Sequence, residues 1–145
     1  MTHKIRHKIT PEVYLLLKRN EDGLFIRRFN TGFEDGLYTL VAGHVEAGES
    51  FSEAVIREAR EEAGIDLQLE HLKVVHVMHR KYDREERIGV FVQAETWLNE
   101  PHIMEPHKHD DLRWISLRSL PSNTSSYVKF ALDKIQNSEF FSELS

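Results

Sequence analysis

Three glutamates, Glu58, Glu61 and Glu62, stand at i, i+3 and i+4 in the run Arg57-Glu58-Ala59-Arg60-Glu61-Glu62. On a helix, residues three and four apart are neighbours, so these carboxylates would crowd one edge and repel each other at neutral pH. Such an edge calls for a positive partner. Carboxylate oxygen is the ligand type preferred by hard divalent cations, and Mg²⁺ in particular is held by a few carboxylates, waters and substrate phosphates. The alternative is a solvated charged face, steadied by the i,i+4 pairs Glu53–Arg57 and Arg57–Glu61. The surroundings weigh against it. Gly43, Glu49, Arg57 and Gly64 accompany the three glutamates at fixed spacing, followed by the aliphatic Ile65. Seven such identities arise by chance on the order of once per 10⁸ to 10⁹ starting positions at average residue usage.

The elements that would position these side chains can be read on either side. Ser50-Phe51-Ser52-Glu53 is a capping box, so a helix is expected to begin at Phe51. Gly64 supplies the left-handed residue that ends it. At about 100° per residue, Val55, Ile56, Ala59 and Ala63 fall on one arc, with Glu53, Arg57 and Arg60 opposite. Glu58, Glu61 and Glu62 share the sector between them. Upstream, Leu37 to Val41 reads as a strand that delivers the chain to Gly43.

The stretch Gly43 to Ile65 resembles the Nudix box at every strongly defined position; Ala59, where a larger aliphatic is common, bears on packing and not on chemistry. The resemblance implies that Glu58, Glu61 and Glu62 are metal ligands, with the carbonyl of Ala42 as an extra one. It implies that Arg57 orients the glutamates and that Glu49 supports the cluster or helps activate water. It also implies Mg²⁺ as the cofactor, with Mn²⁺ as the alternative. In Glu105-Pro106 the chain resembles the acidic-proline loop that family members place opposite the box helix. Glu105 is therefore the first candidate for a further ligand or general base, with Asp110 and Asp111 behind it. His107, His109 and Asp110 offer a competing transition-metal reading.

Val13 to Lys18 is a short apolar run that suits a buried strand, and Glu21-Asp22-Gly23 turns it into Leu24 to Arg28, a hairpin. Arg27 and Arg28 end that strand as candidate phosphate or base contacts, since arginine can form paired hydrogen bonds. Mutator-type relatives place an arginine pair there. Asn30 to Gly36 is loop chemistry, and Phe33 within it is a candidate base-stacking residue or a packing plug. Leu72 to Met78 and Ile88 to Trp97 read as strands joined by the basic tip His79 to Arg87. His79, Arg80 and Tyr82 are substrate-contact candidates from that tip. A short strand is expected around Arg113 to Ser116. A final helix capped by Ser126 would bury Val128, Ala131, Leu132 and Ile135, with Phe140 and Phe141 beyond it in a polar tail.

At 145 residues the chain fits one domain spanning 1–145, with an ordinary 40% hydrophobic and 30% charged content. Zero cysteines exclude disulfides, thiolate metal sites and thiol nucleophiles. There is no apolar run of membrane-spanning length and no secretory h-region, so the cytoplasm is the expected compartment. The net charge of −5 argues against direct nucleic-acid binding through a basic surface. An acidic protein holds a polyphosphate only through metal and a few local Arg or Lys residues.

The order of elements gives an α/β (α+β) domain, and the resemblance sharpens this to the Nudix α/β/α sandwich: a mixed, mainly antiparallel sheet between the box helix and a C-terminal helix. The expected activity is pyrophosphohydrolysis of a nucleoside diphosphate linked to a group X, first of all a nucleoside triphosphate releasing NMP and pyrophosphate. ADP-ribose or nucleotide sugars and dinucleoside polyphosphates are the alternatives, and a non-catalytic nucleotide-sensing module is the competing class. The partner is a small nucleotide, and the chain is expected to be a monomer or homodimer.

Overall fold

A computed structural model describes residues 4–145. Strands β1 (Thr10–Arg19), β2 (Asp22–Arg28), β3 (Tyr38–Thr39) and β4 (Val41–His44) lead into helix α1 (Phe51–Ala63). Then come β5 (Lys73–Tyr82), β6 (Glu85–Ala94), β7 (His109–Ser116), helix α2 (Ser126–Gln136) and β8 (Phe141–Leu144), with a 3₁₀ turn at Leu69–His71.

The eight strands form one mixed sheet in the order β3-β2-β1-β6-β5-β8, with β4 also paired to β1 and β7 to β2. Five pairings are antiparallel, and two, β1 with β6 and β5 with β8, are parallel. The run Val13 to Leu17 is buried on both faces because a helix covers each side, as continuous apolar strands require. Val13, Leu15 and Leu17 face α1 and pack with Ala54, Val55, Ala59 and Ala63. Tyr14 and Leu16 face the other way, toward Val128, Ala131 and Leu132 of α2. Ala59 has no exposed surface, so the small side chain lets α1 lie close to the sheet.

Helix α1 starts and stops where its sequence says. Ser50 accepts from Glu53 N–H at 3.1 Å and Glu53 accepts from Ser50 N–H at 3.0 Å, while Gly64 closes the helix at φ 67°.

Four local expectations change. The strand expected over Leu37–Val41 splits at Leu40, because Tyr38–Thr39 pairs with β2 and Val41–His44 pairs with β1. Gly43 therefore sits in a strand opposite Val13, not in a loop. The segment His79 to Arg87 is not a long tip: both strands run through it in register, and the turn is left to Asp83 and Arg84. β7 begins at His109, since its first residues pair with Arg28 and Arg27 across a bulge. Ser126 begins α2 but does not cap it; the N-cap is Ser125, whose hydroxyl instead donates to Glu34 at 3.1 Å.

The polar tail carries a strand unforeseen in the sequence. Phe141–Leu144 adds to β5 in parallel, pinned by the buried His76, whose two ring nitrogens lie 2.8 Å from Glu139 O and 2.7 Å from Ser142 Oγ. Among the described residues no helix is long and apolar enough to cross a membrane.

Candidate active site

Arg57 is the hub of the α1 edge. Its Nε donates to Glu49 Oε2 at 2.7 Å and its Nη2 to Glu49 Oε1 at 3.0 Å, a paired contact that fixes the loop before the helix. Nη1 donates to Glu58 at 2.7 Å and to Glu61 at 3.2 Å, and Nη2 reaches the His44 carbonyl at 3.1 Å. One guanidinium thus ties α1 to β4 and to the loop between them. Its hydrogen bonds, with a second from the Glu46 N–H, hold the Glu49 carboxyl down at about 2. Arg57 is raised in turn, Glu49 first among the causes.

Glu62 is placed differently. Its carboxylate accepts the Ala42 N–H at 3.1 Å, and among the described residues no cation lies within ion-pair distance of it. Burial first, then the charges of Glu58 and Glu105, pushes the Glu62 carboxyl well above the ordinary carboxylate range, against the Ala42 N–H and Arg28. Glu58 is raised too, by burial first; Arg57 opposes this, while Glu61 and Glu105 add to it. The fold has brought Glu105, from the segment between β6 and β7, into the electrostatic field of α1.

Gly43 explains its own identity. A Cβ there would overlap the Glu58 carboxyl group, so only glycine lets that side chain lie against β4.

Among the described residues no three carboxylate or imidazole groups converge on a single point. The reason is visible in the contacts: Arg57 holds Glu58 and Glu61, and the Ala42 N–H holds Glu62. The donor set nevertheless fits a hard divalent ion, since it is all oxygen and its buried members are mutually repelling. The transition-metal reading of His107, His109 and Asp110 is not supported. Asp110 pairs with Arg27 at 2.7 Å, and His109 is buried beside Arg28.

Beside Glu62 opens a cavity of about 330 Å³ that runs past Gly43 and His44 to Arg28, Phe33 and His109. Arg28 is fixed at its rim, donating to Phe33 O at 2.6 Å and Thr31 Oγ1 at 3.0 Å, with its guanidinium over the Phe33 ring. Asp35 shapes this loop by accepting from the N–H groups of Thr31 and Gly32, both at 2.9 Å. Arg27 points elsewhere, into its pair with Asp110 and against Tyr38. A second hollow of about 750 Å³ continues from the first, sharing Phe33, Glu85, Arg87 and Tyr127 with it. Arg80 and Tyr82 line this second hollow. His79 lines neither; it bonds to Glu86 at 2.6 Å and faces Glu143.

Sequence reasoning missed the floor of the cavity. Glu12, only 5% exposed, accepts from Tyr14 OH and from Arg87 Nη1, both at 2.8 Å. The available signal was an acidic residue opening a buried apolar strand, where a carboxylate needs a partner. Which partner it finds, Arg87 across the parallel β1–β6 pairing, is a matter of register.

The Nudix domain pattern matches residues 8–134 of this chain. The chain belongs to the Nudix hydrolase family. It is 27% identical, over 114 residues, to the NAD-capped RNA hydrolase NudC of Pseudomonas aeruginosa, an alignment covering 79% of this chain and 38% of that protein. It thus spans about two fifths of the length of the curated relatives it matches. Among solved structures, the MutT Nudix hydrolase of Burkholderia pseudomallei superposes with a TM-score of 0.79 at 27% identity, covering 88% of this chain and 98% of the other. The MutT protein of Methanosarcina mazei Go1 superposes at 0.77 with 19% identity, covering 92% and 97% of the two chains, and bears on the fold alone.

Proposed function

We propose that the chain hydrolyses a phosphoric anhydride in a nucleoside diphosphate linked to X, with a nucleoside triphosphate as the first substrate class and NMP and pyrophosphate as products. The carrying observation is the buried Glu62, which lines a cavity of about 330 Å³ and whose carboxyl is pushed up by burial and by the charges of Glu58 and Glu105. Such repulsion is relieved by a divalent cation, and Mg²⁺ suits the oxygen donors, with Mn²⁺ as the substitute. Glu58, Glu61 and Glu62 would hold it, with the Ala42 carbonyl as an added donor; bound there, the ion would neutralise the diphosphate and acidify a water.

The chain's own groups supply the rest. Arg57 keeps Glu49, Glu58 and Glu61 in place, Arg28 meets substrate phosphate at the cavity rim, and Phe33 offers a face for the base. Glu49 is a poor proton acceptor, because both of its oxygens are bonded to Arg57 and its carboxyl sits at about 2. Glu105, whose one ion-pair partner among the described residues is Lys108 at 3.5 Å, is the better placed base. As the water oxygen bonds to phosphorus and the bridging P–O bond breaks, the water proton passes to Glu105 and the leaving phosphate departs with the bond pair. Glu105→Gln should therefore lower kcat by about 100-fold or more, the range of a lost general base, with KM little changed. Glu49→Gln should lose less. If the order is reversed in steady-state kinetics, Glu49 is the base.

A second reading, cleavage of a longer two-ended substrate such as a dinucleoside polyphosphate or nucleotide sugar, is favoured by the continuity of the two hollows. The likeness to NAD-capped RNA hydrolases leans the same way. The test is a panel of nucleoside triphosphates, nucleotide sugars, ADP-ribose and dinucleoside polyphosphates in Mg²⁺, with product identification. Triphosphates are expected to be turned over fastest, giving NMP and pyrophosphate. Tight binding with no product from any of them would turn the reading toward nucleotide sensing.

A further inference from the structure

The Arg80 side chain is only 14% exposed, yet it uses few of its five donors. Its single hydrogen bond among the described residues runs from Nη2 to Glu12 Oε1 at a long 3.4 Å, and the buried Nε has no partner. Glu12 is not waiting for it. Tyr14 OH already occupies Oε1 and Arg87 Nη1 occupies Oε2, both at 2.8 Å, so Arg80 is a third claimant on a satisfied carboxylate. What holds Arg80 is the Tyr127 ring, 4.1 Å from its Cζ, a contact that uses the flat face of the guanidinium and leaves its N–H edge unspent. Donors left unpaired in a nearly buried cation disfavour the folded state, so a group in this condition asks for a ligand. Arg80 stands in the wall of the larger hollow, beyond Arg87 as seen from the glutamate edge.

We propose that Arg80, backed by Tyr127, is a specificity-determining residue that receives a phosphate lying beyond the cleaved diphosphate, and so separates substrates whose X carries further phosphate from nucleotide sugars whose X is uncharged. The inference rests on the hydrolase reading of the neighbouring glutamates. Phosphate beyond the cleaved diphosphate has two sources, the end of a nucleoside triphosphate or the inner chain of a dinucleoside polyphosphate. Both present the same oxygens to a guanidinium fork.

The test is Arg80→Gln, assayed on a nucleoside triphosphate, a dinucleoside tetraphosphate and a nucleoside diphosphate hexose. The triphosphate should lose about tenfold or more in kcat/KM, mostly through KM, which is the scale of one charge-assisted hydrogen bond. The hexose substrate should stay within about twofold. Equal losses on both, or none on the triphosphate, overturn the proposal. A parallel loss on the tetraphosphate supports recognition of any further phosphate, and its absence supports recognition of a terminal one. Calorimetric titration of parent and variant with inorganic tripolyphosphate separates this inference from the hydrolase reading. Arg80-dependent binding without turnover of any substrate sinks only the hydrolysis, whereas turnover with Arg80-independent tripolyphosphate binding sinks only the role of Arg80. Should the Gln variant fail to fold, Arg80→Lys keeps the charge beside Glu12 but loses the fork, and the same ordering of substrates is expected with a smaller spread.

Discussion

Replacing Glu62 by Gln is expected to lower metal-dependent turnover at least ~100-fold while leaving the metal-free protein as stable as the parent or more so. The two halves of this result have one cause. Glu62 is buried against the charges of Glu58 and Glu105, with the Ala42 N–H as its local hydrogen-bond donor. Its folded proton affinity is raised, so the stability it contributes is present at low pH, where it is protonated, and is lost as pH rises through its folded value. Gln keeps the shape and the acceptor oxygen for the Ala42 N–H without that loss. Measured without metal, the parent should fall behind the variant as pH climbs out of the carboxylate range toward neutrality. Added Mg²⁺ should raise the melting temperature of the parent by several degrees and move the variant little, because only an ion that binds the folded state stabilises it. A variant with undiminished turnover, or a parent whose melting temperature ignores Mg²⁺ and Mn²⁺ alike, would remove Glu62 from the metal site.

The second large effect is expected from a single methyl group. In Gly43→Ala the new Cβ would overlap the Glu58 carboxyl, while β4 is held in place by the pairing of Gly43 to Val13 of the buried strand β1. The flexible end of Glu58 must give way instead. It then leaves its 2.7 Å bond to Arg57 and its place among the carboxylates. Since a side chain and not the backbone moves, stability should fall by only ~1–3 kcal/mol, the usual penalty for a modest overpacking. Turnover should fall by about 100-fold, comparable to removing the glutamate itself, because a ligand or catalytic group displaced by an ångström no longer serves. Comparing Gly43→Ala with Glu58→Gln and with the double variant in a cycle tests the mechanism. If the methyl acts through Glu58, the double variant is no worse than either single one. Additive losses would mean that the glycine serves some other purpose.

The two variants mark where the sequence is explicit and where it is silent. The α1 helix is written locally: its cap, its apolar arc and its closing glycine all lie within the fifteen positions from Ser50 to Gly64, and the structure starts and ends the helix there. The glutamate spacing is equally local, since i, i+3 and i+4 become neighbours as soon as the helix forms. Strand interiors such as Val13 to Leu17 are legible for the same reason: an unbroken apolar run has to be covered on both faces.

Elements held by distant partners were not legible. The basic run His79 to Arg87 reads as a hairpin tip, but nine residues from Lys73 to Tyr82 find partners in β6, and pairing overrides local polarity. β8 follows α2 after four intervening residues in a polar tail, and it is pinned by His76, a polar residue inside an apolar strand, which bonds to Glu139 and Ser142. Ser126 has the composition of a cap, but its neighbour Ser125 takes that position and turns its hydroxyl to Glu34, 91 residues away.

By itself the sequence determined the helix that carries the glutamates, their spacing along it, and the family to which the chain belongs. All three depend on groups a few residues apart. Tertiary structure decided that Glu105 joins Glu58 and Glu62, that Arg27 turns from the cavity while Arg28 enters it, that Glu12 and Arg87 line it, and that Arg80 lines the hollow beyond. Those side chains meet across strand pairings between residues up to 94 positions apart, and such register is fixed by the packing of the whole sheet, which no local pattern records.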